Sequence, residues 1–155
     1  MGMLVIGVGN TYRGDDGAGP AVVAMLRAKK LPSVRLLESD GDCTGLLDAW
    51  QNVGVVIVID AASSNAPPGT LYCFDALSQP LPRDISFHST HAFGLSEAIA
   101  LGRTLGQLPA SLLLYAIEGK TFATGVGLSQ EVELAVREVV LRVERDPVQC
   151  NEYNV

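Results

Sequence analysis

Short apolar runs alternate along the chain with segments of helical periodicity. Five segments predict strands, at residues 3–8, 34–38, 55–60, 70–75 and 111–117. The last of these fits a helix or a strand by periodicity, and the proline before it and the glycine after it favour a strand. Four segments with helical spacing predict helices, at residues 16–29, 44–51, 91–104 and 129–145. Because strands and helices alternate, we expect an α/β fold with three α/β/α layers around a largely parallel sheet. We assign residues 1–146 to a single domain and residues 147–155 to a disordered polar tail.

Charge and composition limit the classes of partner. Seventeen acidic and eleven basic residues give a net charge of −6, which argues against nucleic acid and anionic membranes. The sequence has no apolar run long enough for a membrane span and no basic start typical of a secretory signal. Cys43, Cys73 and Cys150 match no zinc pattern and are expected to be reduced thiols. We therefore predict a cytoplasmic protein without membrane insertion.

A glycine-rich turn follows the first predicted strand. Gly7 and Gly9 fit a dinucleotide-binding fingerprint, but Tyr12 occupies the position of its third glycine. A phosphate-binding P-loop would end in lysine, whereas this turn ends in Asp15 and Asp16, which would repel phosphate. The sequence therefore disfavours a nucleotide site and leaves a sharp turn that carries two acids.

Three side chains are candidates for a shared site at the carboxyl edge of the sheet. Asp16 lies in the first turn of a predicted helix, and Asp60 ends the most apolar strand. His91 is one of two histidines and falls in the first turn of the helix predicted from residue 91. One histidine and two carboxylates suit a divalent ion such as nickel or zinc, and equally suit acid–base hydrolysis. The simpler alternatives are helix capping by Asp15 and Asp16, a turn cap at Asp60 and a surface histidine.

Two further loops lie at the same predicted edge. The segment Asp40-Gly41-Asp42-Cys43 precedes a helix and could do no more than cap it. Glu118 follows the last predicted strand and fits either the wall of a site or a plain turn.

The ordered motifs resemble those of the hydrogenase maturation proteases, endopeptidases that trim the C-terminal extension of a [NiFe]-hydrogenase large subunit after nickel insertion. The resemblance rests on Gly-Val-Gly-Asn at 7–10, Asp-Asp-Gly-Ala-Gly at 15–19, Ile-Asp-Ala at 59–61, Pro-Gly-Thr at 68–70, His-Ala-Phe-Gly-Leu at 91–95 and Gly-Leu-Ser at 127–129. It implies a twisted, mixed five-stranded sheet and nickel ligands at Asp16, Asp60 and His91. It implies no ligand role for His88. The loop at 40–43 departs from the family's Asp-Gly-Gly-Thr, a segment associated with substrate recognition.

The leading hypothesis is an endopeptidase that recognises nickel already seated in its substrate, the large-subunit precursor, which binds transiently. Asp16, Asp60 and His91 would then be both metal ligands and catalytic residues. No serine or cysteine occurs in a setting typical of a covalent nucleophile, and the sequence leaves open whether a carboxylate or the metal activates water. The alternative is a non-catalytic nickel-binding or metal-delivery module that uses the same three residues.

Overall fold

The computed structural model describes residues 2–82, 85–87 and 94–145. Its strands are β1 (Met3–Val8), β2 (Val34–Ser39), β3 (Val55–Ser63), β4 (Leu71–Asp75), β5 (Ser86–Phe87) and β6 (Ser111–Glu118). Its α-helices are α1 (Ala18–Lys29), α2 (Cys43–Ala49), α3 (Leu95–Leu105) and α4 (Gln130–Arg145). A short 3-10 helix at Gly14–Gly17 leads into α1.

The sheet is mixed, with the order β2-β1-β3-β6-β4. Strands β1, β2, β3 and β6 run parallel, whereas β4 runs antiparallel beside β6. The predicted five-stranded α/β fold is therefore confirmed. The additional strand β5 pairs antiparallel with the end of β3. It was not predicted, because two residues carry no measurable periodicity.

Apolar cores lie on both faces of the sheet. Helices α1 and α4 cover one face, where Val5, Ile57 and Ile59 are buried. Helices α2 and α3 cover the other face, where Leu4 and Val58 are buried. Successive side chains of a strand point to opposite faces, so a strand covered on both sides is apolar throughout. This explains the nearly continuous apolar runs at residues 3–8 and 55–60.

Two predicted element boundaries are wrong by three or more residues. The strand predicted to end at Asp60 continues to Ser63, because β6 and β5 both provide backbone partners for its last residues. The helix predicted from residue 91 begins at Leu95, with Gly94 as its N-cap. There the Gly94 N–H donates to the Glu97 carboxylate at 2.9 Å, which fixes the start of the helix.

The described residues bear only partly on the remaining sequence predictions. His88, His91 and the tail at 147–155 lie outside them. None of the helices within the described ranges is long and apolar enough to cross a membrane. Cys43 is a buried free thiol, but Cys73 is disulfide-bonded, so the prediction of reduced thiols is wrong for Cys73. Spacing along a chain does not reveal which sulfur atoms meet in the fold.

Candidate active site between β1 and β3

The two candidate carboxylates lie at a topological switch point of the sheet. The chain leaves β1 through α1 to reach β2 on one side, whereas β3 lies on the other side of β1. The pairing of β1 with β3 ends at Gly7 and Ile59, so Asp60 is the first β3 residue beyond that ladder. In α/β sheets the strands separate at such a point and leave a crevice at their carboxyl ends, where ligands bind.

Glycines allow the 3-10 helix and α1 to pack directly on the strands. A Cβ atom on Gly19 would lie 2.5 Å from the carbonyl oxygens of both Val8 and Ile59. Gly9 has a φ of +147° and adjoins the backbone carbonyl oxygen of Asp16. The glycine-rich turn therefore brings Asp16 to the crevice by close backbone contact.

Asp16 and Asp60 are almost fully buried, with 2% and 5% of their surfaces exposed. The Asn10 N–H donates to Asp16 Oδ2 at 3.1 Å. Among the described residues, Asp60 Oδ1 has no hydrogen-bond partner. Burial raises the pKa of Asp60 well above its ordinary value, and the nearby negative charge of Asp16 raises it further. A hydrogen bond from the Ala61 backbone opposes these effects. Such a pair favours a bound proton or a cation over two free negative charges.

The third predicted ligand is not described. His91 lies outside the described residues, so its position relative to Asp16 and Asp60 stays a prediction. Within the described part of the chain, no group of three metal-ligating side chains occurs.

Glu118 is also buried, but its carboxylate has a structural role. It accepts hydrogen bonds from the Ser64 N–H at 2.8 Å and from the Ser64 hydroxyl at 2.6 Å. Glu118 thereby fastens the segment that follows β3 to the end of β6. Glu118 is the last residue of β6, so this geometry favours a structural role over the wall of a site.

Asp15 has a different role from the predicted helix cap. The N-cap of α1 is Gly17, with no hydrogen bond from a capping side chain. The Asp15 carboxylate is fully buried and accepts hydrogen bonds from Lys120 N at 2.8 Å and Thr121 N at 3.1 Å. It also accepts from Ser129, through the backbone N–H at 2.7 Å and the hydroxyl at 2.9 Å. The prediction of α1 capping is therefore wrong, because the 3-10 helix aims Asp15 at a distant loop. Asp15 joins both ends of the segment 120–129, which we call the anchored loop.

The loop at 40–43 does contain a helix cap. Asp42 is the N-cap of α2 and accepts hydrogen bonds from Gly45 N at 3.1 Å and the Thr44 hydroxyl at 2.9 Å.

A separate cavity of about 690 Å³ lies between residues 76–82 and α3, and neither Asp16 nor Asp60 lines it. The electrostatics and the topology therefore both favour the β1–β3 crevice as the candidate active site.

Comparison with known proteins decides the family. The chain matches the family model of the hydrogenase maturation proteases over residues 20–146. The chain belongs to the hydrogenase maturation protease family. The matched range contains Asp60 and His91, whereas Asp16 lies just before it.

Solved structures of the family share the fold. The [NiFe] hydrogenase maturation protease HybD from Thermococcus kodakarensis superimposes with a TM-score of 0.74 at 26% identity, covering 94% of this chain and 98% of that one. The hydrogenase-maturating endopeptidase HybD from Escherichia coli has the same TM-score of 0.74 at 24% identity, with 98% of each chain covered.

Curated relatives differ in length. The chain is 31% identical to the hydrogenase expression/formation protein HupD of Thiocapsa roseopersicina over 75% of its own residues, but spans only 53% of that protein. It is 27% identical to the hydrogenase 2 maturation protease of Escherichia coli, covering 92% of this chain and 88% of the relative.

Proposed function

We propose that the protein is an endopeptidase that removes the C-terminal extension of a [NiFe]-hydrogenase large-subunit precursor after nickel insertion. Membership of the hydrogenase maturation protease family supports the type of reaction and its role in hydrogenase maturation. The observation that carries the proposal is the pair of buried carboxylates, Asp16 and Asp60, at the switch point of the sheet.

Nickel enters this proposal as part of the substrate. Two neighbouring buried carboxylates repel each other, and a divalent cation between them offsets both charges. Carboxylate and imidazole groups are suitable ligands for nickel, so we assign Asp16, Asp60 and His91 as the groups that bind the metal of the precursor. Binding through the metal would hold the scissile bond in one position beside the crevice, which lowers the entropic cost of the reaction.

Water is the nucleophile in this proposal. Its oxygen attacks the carbonyl carbon of the scissile bond, and a carboxylate oxygen of Asp16 or Asp60 accepts its proton. The same proton then passes to the departing peptide nitrogen as the carbon–nitrogen bond breaks. The carboxylates therefore return to their starting state after each turnover. The cytoplasmic location of the reaction remains a prediction from the sequence.

Mass spectrometry of a nickel-loaded precursor tests the proposal. The wild-type chain should remove the extension, whereas His91→Ala and Asp60→Asn should each reduce the rate at least about a hundredfold. Asp48→Asn is a suitable control, because Asp48 is exposed on α2 and should leave processing unchanged. Undiminished processing by His91→Ala would contradict the assigned ligands. Nickel-dependent binding by the wild type without loss of mass would support the metal-delivery module instead.

A further inference from the structure

Two exposed apolar side chains lie on segments that are hydrogen-bonded to each other next to the 3-10 helix that carries Asp16. Tyr12 is 68% exposed and Val126 is 79% exposed, and together we call them the apolar lip. Their segments are joined through Gly125, whose N–H donates to the Tyr12 carbonyl oxygen at 2.9 Å. The Gly125 carbonyl oxygen in turn accepts from Gly14 N at 2.9 Å. The first loop and the anchored loop therefore form one continuous surface.

Hydrogen bonds connect the apolar lip to the candidate active site through Asn10. Tyr12 N donates to Asn10 Oδ1 at 2.9 Å. The Asn10 N–H donates to Asp16 Oδ2 at 3.1 Å. Only Asn10 therefore separates the backbone of the apolar lip from a carboxylate that we assign to the reaction.

A mostly apolar groove of about 330 Å³ extends from Val126, one of the two side chains of the apolar lip, along the start of α1. Its walls include Gly14, Gly17, Pro20, Ala21, Val126 and Leu128. Gly14 and Gly17 flank Asp16 in the 3-10 helix, so the groove and the acidic pair share one backbone segment. The volume lies at the small end of the range for ligand pockets, which suits a few apolar side chains of a polypeptide.

The anchored loop presents the apolar lip in a fixed arrangement. Asp15 binds both ends of this loop, and the Gly125 hydrogen bonds hold its middle. Binding to a preorganised surface costs less conformational entropy than binding to a loop that must first become ordered. A largely apolar groove beside a few convergent polar groups is the usual form of a binding site.

We propose that the apolar lip and its groove bind apolar side chains of the substrate polypeptide beside the scissile bond. This inference rests on the proposed function, because a protease must hold its substrate chain next to the catalytic acids. The net charge of −6 disfavours an anionic membrane as the occupant. Tyr12 and Val126 are thereby specificity-determining residues rather than catalytic residues.

Cleavage kinetics with the nickel-loaded precursor test the inference. Tyr12→Ser and Val126→Ser should each raise KM about tenfold, because each removes an apolar side chain that becomes buried in the complex. The loss should appear in KM rather than in kcat. Tyr12→Phe should restore most of the binding that Tyr12→Ser loses, because the argument depends on the ring and not on the hydroxyl.

Leu105→Ser provides the matched control. Leu105 is 54% exposed and ends α3, just before β6 begins at the opposite edge of the sheet. Its loss should leave KM unchanged. Equal KM values for wild type, Tyr12→Ser and Val126→Ser would overturn the inference while leaving the proposed function intact. Absence of cleavage by the wild type would overturn the proposed function, and the inference with it. Loss of a wild-type dimer in Tyr12→Ser, with KM unaffected, would assign the apolar lip to a second copy of the chain instead.

Discussion

Replacing Asp60 with asparagine should stabilise the metal-free protein at neutral pH. Burial and the charge of Asp16 raise the pKa of Asp60, so its folded state binds a proton more tightly than the unfolded chain does. The contribution of Asp60 to the free energy of unfolding is therefore fully present below the ordinary pKa of 3.8. It is lost as the pH rises towards the raised pKa. Asparagine has nearly the same shape and carries no charge at any of these pH values, so it avoids the loss.

The expected magnitude follows from proton linkage. Between pH 3.8 and the raised pKa, wild-type stability should fall relative to Asp60→Asn by up to about 1.4 kcal/mol per pH unit. The two proteins should have nearly equal stability around pH 3, where Asp60 is protonated in both states. At neutral pH each kcal/mol of difference should raise the melting temperature of the variant by about 2–4 °C. A residue assigned to catalysis would thus reduce the stability of its own fold.

Urea unfolding from pH 3 to pH 8, with a chelator present, measures this dependence. Trp50 is the only tryptophan, is 1% exposed and donates a hydrogen bond to the Gln107 carbonyl oxygen at 3.0 Å, so its fluorescence reports global unfolding. Asp48→Asn should change stability by no more than about 0.5 kcal/mol, because Asp48 is exposed. A variant less stable than wild type at pH 7, or a difference independent of pH, would refute the reasoning.

Two further substitutions test the packing of the site. Gly19→Ala should destabilise the fold by about 1–3 kcal/mol in urea unfolding, because the new Cβ would overlap strand backbone. Helix propensity alone has the opposite effect and favours alanine by about 1 kcal/mol. A more stable Gly19→Ala protein would contradict the close packing, and Ala24→Gly, at an exposed α1 position, measures the propensity separately. Asp15→Asn should cost about 1–3 kcal/mol and accelerate amide exchange at Ser129, because an amide group satisfies fewer of the N–H donors there. Unchanged exchange at Ser129 would contradict the anchoring role.

The local pattern of apolar and polar residues was sufficient to predict most of the strands and helices. The strand at 3–8 is recognisable because both of its faces are buried, so its composition alone reveals its environment. The extension of β3 to Ser63 was not recognisable, because Ala61, Ala62 and Ser63 have weak strand propensity and are held by β5 and β6. Tertiary partners, rather than the residues themselves, determine that boundary.

Some features of the candidate site could also be predicted from the sequence, whereas others depend on tertiary contacts. Asp16 and Asp60 could be placed together from sequence, because each follows an apolar run that ends at one edge of a parallel sheet. The role of Asp15 could not be predicted, because its partners at Lys120 and Ser129 are more than a hundred residues away along the chain. The apolar lip could not be predicted, because the pattern of apolar and polar residues in the sequence does not show that Tyr12 and Val126 are exposed. The ligand role of His91 stays a prediction.

The fastening of both ends of the segment 120–129 by the Asp15 carboxylate has a consequence for sequence variation in this loop. The backbone contacts at both ends of the loop depend on Asp15, whereas Ala123, Thr124 and Val126 are exposed. Lengthening a surface loop costs little closure entropy, about 0.6 kcal/mol for each doubling. On the proposed role of the apolar lip, replacements at the exposed positions between the anchors are expected to change which polypeptide is bound, provided that the Gly125 hydrogen bonds to the first loop are kept. Under that proposal, exchange of this loop between related chains should alter substrate preference while Asp16 and Asp60 stay in place.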